Sequence, residues 1–201
     1  MHDIETALAD LADGRAGLRL YGNDDLRRHL DAESRIGRIA GSVLGGAAMP
    51  VRAILFDKSA NTNWALGWHQ DRTIAVRSRR ETPGFGQWTR KQGMLHVAPP
   101  TSVLARMVTL RVHLDPVPDN NAPLMIARGS HLLGAVAETD IDAVVAQAQP
   151  FACLAERGDI WLYATLILHA SAAAENPTRR RVLQVDYASE PLSGGLEFLG
   201  V

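Results

Sequence analysis

Cysteine is almost missing from this sequence: Cys153 is its single thiol. One thiol makes no internal disulfide and no cysteine-rich zinc site, and it fits a reducing compartment. Its setting, Pro150-Phe151-Ala152-Cys153-Leu154, is apolar and points to a buried, inert thiol and not to a nucleophile. Long hydrophobic runs are also missing. Nowhere do 18 apolar residues follow one another, so no transmembrane helix is expected. The first residues, Met1-His2-Asp3-Ile4-Glu5-Thr6, carry acids where a secretion signal needs positive charge, and the expected location is cytoplasmic. Excess charge of one sign is lacking too. A formal net charge of -1 leaves no global field to draw nucleic acid or an anionic membrane, so the expected partner is a small-molecule substrate.

What is present is the balance of a globular protein, with 46% hydrophobic and 21% charged residues. The 201 residues suit a single domain. Within it, 1–50 is expected as a helical N-terminal segment and 51–201 as a β core. Ile36, Ile39, Ala40, Val43 and Leu44 form one apolar helical stripe, ended by Gly45-Gly46 and kept from resuming by Pro50. Ile4 to Leu11 reads as a shorter helix capped by Gly14. From Val51 the texture turns to short β-type runs: Val51–Phe56, Leu66–Val76, Val103–Asp115, Leu124–Ala127, Ile160–His169 and Val182–Tyr187. Strands in series without alternating helices predict an antiparallel sandwich or barrel.

Two segments carry chemistry. Trp68-His69-Gln70-Asp71 places an imidazole and a carboxylate two residues apart, on one face if the segment is a strand. Such a pair, joined by one distant histidine, makes the facial triad that leaves three positions open on Fe(II). The tripeptide alone is a weak signal. The second segment is Leu166-Ile167-Leu168-His169-Ala170-Ser171, followed by Asn176-Pro177-Thr178-Arg179-Arg180-Arg181. It describes a hairpin delivering a metal ligand and an arginine into one cavity, and the arginine fork suits a carboxylate.

Together with His113-Leu114-Asp115, Arg128-Gly129-Ser130-His131 and the closing Gly194-Gly195-Leu196-Glu197, these segments make the chain resemble the phytanoyl-CoA dioxygenase family of iron- and 2-oxoglutarate-dependent oxygenases. The resemblance runs from about Val51 onward. It implies a mainly β fold, a double-stranded β-helix (jelly-roll, cupin-like) barrel with the N-terminal helices packed outside. It implies Fe(II) on His69, Asp71 and His169, with 2-oxoglutarate and O2 as co-substrates. Arg180 would pair with the distal carboxylate of 2-oxoglutarate, assisted by Ser171, and Arg111 would line the same pocket. Two positions depart from the family pattern: its usual Asn-Gly reads Asn121-Ala122, and its usual proline before Gly129 is Arg128. Asp71 favours hydroxylation, with succinate and CO2 released, because related halogenating enzymes lack the carboxylate.

Other residues stay open. Strand alternation turns Arg180 away from Arg179 and Arg181. Arg111 lines the cavity or meets solvent. His96, His113 and His131 read as turn-stabilising or surface residues. Trp161, Tyr163 and Thr165 share the face of His169 by alternation, either lining the pocket or packing in the core. Trp64, Trp68 and Trp88 stand near the metal segment and are candidates to shape the pocket. Lys58 meets an anionic co-substrate or is a solvated strand-end lysine. The competing functions are a cupin-like metal-dependent isomerase or epimerase, for which Arg180 has no use, and a non-catalytic binding module.

Overall fold

A computed structural model describes residues 1–9, 11 and 17–201. Gly14, the expected cap of the first helix, lies outside them. The chain runs through α1 (His2–Leu8), β1 (Leu18–Leu20), α2 (Asp24–Arg27), α3 (Arg35–Leu44), β2 (Met49–Lys58), β3 (Leu66–His69) and β4 (Ile74–Val76). A hairpin of β5 (Gly86–Lys91) and β6 (Met94–Ala98), then α4 (Thr101–Leu104), β7 (Met107–His113) and β8 (Leu124–Ile126) follow. The chain closes with α5 (Ile141–Ala148), β9 (Phe151–Cys153), β10 (Ile160–Ala164), β11 (His169–Ser171) and β12 (Arg180–Ala188). All strand pairing is antiparallel, in sheets ordered β1-β2-β12-β7-β10, β3-β11-β8-β9 and β4-β6-β5. The first two sheets face one cavity, the arrangement of a double-stranded β-helix.

α3 follows its local signals. Ser34 caps it by accepting from the Gly37 N–H (2.9 Å), and Gly45 ends it at φ 74°, where a side chain would be strained. Ile36 and Ala40 are buried, whereas Val43 is exposed and leaves the expected stripe. The N-terminal segment is not wholly helical: β1 adds an edge strand beside β2.

Three expected strands prove composite. Leu66–Val76 divides into β3 and β4, and Ile160–His169 into β10 and β11, each pair split between different sheets. Val103–Asp115 begins with the short α4 before β7. Apolar continuity hid the corner at 165–168, because a buried turn there is as hydrophobic as the strands it joins, whereas the corner at 70–73 is polar and carries Asp71. The β5–β6 hairpin escaped notice. It turns on Gln92-Gly93, both at positive φ (50° and 83°), the geometry that matches strand twist across a two-residue loop.

Register sorts the five-stranded sheet into two faces. Ala53, Leu55, Leu183, Val185, Tyr187, Val108, Leu110 and Val112 point outward and bury the apolar sides of α1, α2 and α3. Tyr187 fixes this packing by donating its hydroxyl to the Leu30 carbonyl (2.9 Å). The opposite face carries Arg52, Lys58, Thr109, Arg111, His113, Arg180, Gln184 and Asp186, all buried. A buried face this polar is costly unless its groups are paired or meet a ligand. It lines the cavity.

Candidate active site

His69, the last residue of β3, is the backbone partner of His169, the first of β11. The pairing brings their ring centroids to 4.3 Å. Each ring is fixed in the same way. The Nδ1 of His69 lies 2.7 Å from the Gly67 carbonyl, and that of His169 lies 2.9 Å from the Ile167 carbonyl. A carbonyl only accepts, so both Nδ1 atoms carry a proton, and Nε2 is the atom of each ring left to face a metal. Burial, partly offset by Asp71, lowers the His169 pKa to about 4, which keeps that ring neutral. Two imidazoles held as Nε2 donors are prepared for a metal.

Asp71 lies just past the strand end. Its Oδ2 accepts from Arg52 Nη2 (2.9 Å) and from Gln184 Nε2 (3.4 Å). Burial works to raise this carboxyl, but Arg52, with His169 and His69, outweighs it and holds the pKa well below the usual carboxylate range. Arg52 also grips Asp186, whose second oxygen accepts from Thr109 Oγ1 (3.0 Å). Asp186 shifts the opposite way, raised by burial against the pull of Arg52. Among the described residues no three His, Cys, Asp or Glu side chains are gathered around one point as they stand, and Asp71 is engaged by Arg52. The donor set fits a divalent ion in kind: two imidazole Nε2 atoms and an ionised carboxylate whose Oδ1 is not held by Arg52.

Gln70 explains why His69 and Asp71 share a side. It points the other way and is buried. Its Nε2 donates to the carbonyls of Gly134 (2.8 Å) and Leu166 (2.6 Å), and its Oε1 accepts from the Val136 N–H (2.9 Å). The residue between the two candidate ligands thus ties their segment to two neighbouring loops. Ser130, from the Gly-Ser-His segment, braces the other candidate ligand: its Oγ accepts from the Leu168 N–H (2.8 Å), next to His169.

The cavity, about 650 Å³, has a cationic pole formed by Lys58, Arg111 and Arg180. Lys58 and Arg180 are direct cross-strand partners, and only 4% and 3% of their surfaces are exposed. Lys58 is therefore no solvated strand-end residue. Its Nζ donates to the Trp64 carbonyl (2.6 Å), Ser171 Oγ (3.0 Å) and the Ala172 carbonyl (3.0 Å). Burial first, then Arg180 and Arg111, push its pKa down to about 8. Arg180 donates from Nη1 to the Ala122 carbonyl, and Arg111 donates from Nη1 to Gln184 Oε1 (2.9 Å). The Nε atoms of both arginines are buried without a hydrogen-bond partner. Three cations and two unmatched buried N–H donors suit an anion with several oxygens.

The alternation expected in the arginine run holds. Arg179 reaches Asp57 (2.9 Å) on the outside, and Arg181 is held by Asp115 (2.7 Å), while Arg180 turns inward. Ala122 keeps the left-handed geometry of the glycine it replaces (φ 49°) and so presents its carbonyl to Arg180 and to Ser171 Oγ (3.3 Å).

Several open residues find their places. Trp64 and Trp68 line the cavity, whereas Trp88 packs beside Arg79 in a separate apolar cluster. Tyr163 stands 6.2 Å from the His169 ring, Trp161 stacks edge-on against Phe151, and Thr165 bonds Thr109. His96 and His113 are corrected: both are buried in strands, not at turns or on the surface, and burial lowers each pKa to about 4. The Gly194-Gly195-Leu196-Glu197 segment docks beside β4, with Arg77 N donating to the Glu197 carbonyl (3.1 Å), and does not reach the cavity. Arg52, Gln184 and Asp186 escaped the sequence reading. Charged or amide residues at alternate positions of otherwise apolar strands were the signal that could have shown them.

The architecture, a jelly-roll with an interior cavity and N-terminal helices on its outer face, is one that iron- and 2-oxoglutarate-dependent oxygenases share. More narrowly, the chain belongs to the phytanoyl-CoA dioxygenase family, whose profile matches residues 3–182. No curated protein sequence matches it. Among solved structures it is similar to EctD from S. alaskensis with 2-oxoglutarate and 5-hydroxyectoine (18% identity, TM-score 0.65, 100% of this chain and 70% of that one). It is also similar to the non-heme alpha ketoglutarate dependent epimerase SnoN from nogalamycin biosynthesis (16%, 0.63, 92% and 69%). A third likeness is to EvdMO1 (18%, 0.56), where 76% of this chain spans 30% of that one. At these identities the likeness shows the fold. No helix among the described residues is long and apolar enough to cross a membrane.

Proposed function

We propose that the protein is an Fe(II)- and 2-oxoglutarate-dependent dioxygenase that hydroxylates a small organic molecule, with His69, Asp71 and His169 as metal ligands. The observation that carries this reading is the pair of Nδ1-anchored imidazoles next to an ionised carboxylate, in one cavity with a buried cationic pole. Iron, when bound, supplies the oxidative chemistry with O2 while 2-oxoglutarate is converted to succinate and CO2. The chain does the rest. Arg180 receives the distal carboxylate of 2-oxoglutarate, Lys58 and Arg111 add charge, and Ser171 positions Lys58. Arg52 keeps Asp71 ionised, and Gln70 fixes its backbone. Trp64, Trp68 and Phe56 keep water from the reacting face.

Purified protein given Fe(II), 2-oxoglutarate and O2 is expected to release succinate with a candidate substrate. The product should gain one oxygen atom. Absence of 2-oxoglutarate binding in the presence of metal would sink the proposal. The likeness to SnoN favours one second reading, epimerisation with the same co-substrate. Arg180 does not separate the two, since both use the keto acid; a product of unchanged mass and inverted centre does.

Lys58 sets a pH dependence. Its ammonium is charged below about 8 and neutral above, and the charged form attracts the dianion. The dissociation constant of 2-oxoglutarate is therefore expected to rise as pH passes from 7 to 9. Lys58→Met should flatten that rise in a calorimetric titration.

A further inference from the structure

A second group of cations lines the same cavity away from Lys58, Arg111 and Arg180. In the β1–β2 register Arg19 lies opposite Ile54, so its side chain shares the cavity face of β2 with Arg52 and Ile54. Lys58 lies four residue steps beyond Ile54 along that strand, roughly 13 Å at about 3.3 Å per residue. The two poles are thus separate.

Lys91 arrives from another part of the chain. Gln92, at the β5–β6 turn, clamps β1 by accepting from the Arg19 N–H (2.8 Å) and donating to the Gly17 carbonyl (2.7 Å). This clamp sets Lys91, the next residue back, on the wall beside Arg19. Lys91 Nζ donates to Thr73 Oγ1 (3.1 Å), two residues past Asp71.

Arg19 and Lys91 have no counter-charge of their own. Among the described residues, neither forms an ion pair, and the buried Arg19 Nε has no hydrogen-bond partner. Arg52, between them and the metal ligands, is already taken by Asp71 and Asp186. Burial and neighbouring cations depress both groups against a lesser pull from Asp71, which Arg52 already engages: Lys91 by burial, then Arg19 and Arg52, and Arg19 by burial, then Arg52. Like charges gathered in a half-buried wall are unfavourable until an anion joins them.

The co-substrate does not supply that anion. Seven arginine and lysine side chains line the cavity against three carboxylates, and two of those three, Glu138 and Asp142, are exposed and pair with neither Arg19 nor Lys91. Iron's two positive charges cancel the two negative charges of 2-oxoglutarate, so the excess remains. Ile54, Phe56, Trp64 and Trp68 give the same cavity an apolar lining.

From this we infer that the substrate is an organic anion, with an apolar body and a carboxylate or phosphate that docks on Arg19 and Lys91. The inference rests on the dioxygenase reading above and names the substrate class of that site.

Calorimetric titration of the protein loaded anaerobically with Fe(II) tests both levels separately. 2-Oxoglutarate is added first; if it fails to bind the wild type, the co-substrate reading falls. Inorganic phosphate or acetate is then titrated into the loaded complex. One of the two is expected to bind at millimolar concentration, and which one binds names the substrate's acid group. Arg19→Gln and Lys91→Gln should each weaken that binding about tenfold or more while 2-oxoglutarate still saturates, which also shows that the variants fold. Binding of neither probe, or binding that both variants leave intact, overturns the inference.

Discussion

His169→Ala should strip the protein of iron and end its turnover. The His169 ring is the most firmly placed of the three proposed ligands. It is buried, its Nδ1 proton is committed to the Ile167 carbonyl, and its backbone is paired both with His69 on β3 and with Ile126 on β8. Alanine keeps those backbone bonds and removes one of only two imidazole donors. Loss of an outer-sphere partner typically costs 10–100-fold in metal affinity. Loss of a ligand is therefore expected to cost more than about a hundredfold, with succinate release falling to background. Equilibrium dialysis against Fe(II), followed by metal analysis, reads the first effect, and far-ultraviolet circular dichroism checks that the sheets remain. Iron retained at wild-type stoichiometry in this variant would remove His169 from the site.

Arg180→Ala should act on the co-substrate and leave the metal in place. Truncating one partner of a buried, hydrogen-bonded charge pair costs about 2–5 kcal/mol. The dissociation constant of 2-oxoglutarate is therefore expected to rise about a hundredfold, since each 1.4 kcal/mol is about tenfold. Arg180→Lys should recover part of the loss, because it keeps a charge but not the planar fork. Arg179→Ala is the control. Its side chain lies on the outer face against Asp57, and 2-oxoglutarate affinity should not change. If the two alanine variants behave alike, the inward turn of Arg180 has no bearing on the co-substrate.

Local patterning made an antiparallel sandwich or barrel and the inward arginine legible in advance, and the family resemblance narrowed the fold to a jelly-roll. Residues 179–181 alternate as any strand must, so one of three adjacent arginines had to differ from its neighbours, and the spacing from His169 pointed to Arg180. The helix at Arg35–Leu44 announced itself by its stripe and by the Gly45-Gly46 that ends it, while its Ser34 cap emerged only in the structure. Tertiary context decided the remainder. The corner between Ala164 and His169 has no Gly or Pro, because Thr165, Leu166, Ile167 and Leu168 turn inside the protein, where an apolar sequence serves a bend as well as a strand. Arg52 looked like an interruption in an apolar run. Its purpose appears only when Asp71 and Asp186, 19 and 134 residues away, meet it in space. Arg19 sat in a segment read as helical, so its place on a sheet edge could not be foreseen. Burial of His96 and His113 was likewise invisible, since a histidine in an alternating strand shows nothing of what covers its polar face.

The short strand Leu18–Leu20 pairs on one side only, whereas the strand that bears Arg180 is flanked on both. A change in a doubly flanked strand must be absorbed by two neighbours; one at a free margin disturbs a single neighbour and the Gln92 clamp. The wall that carries Arg19 can therefore be rewritten with little consequence for the rows that hold His169 and Arg180. For anyone redesigning what this protein accepts, Arg19 and Lys91 are the positions to randomise, with Leu20 and the Gln92-Gly93 turn kept.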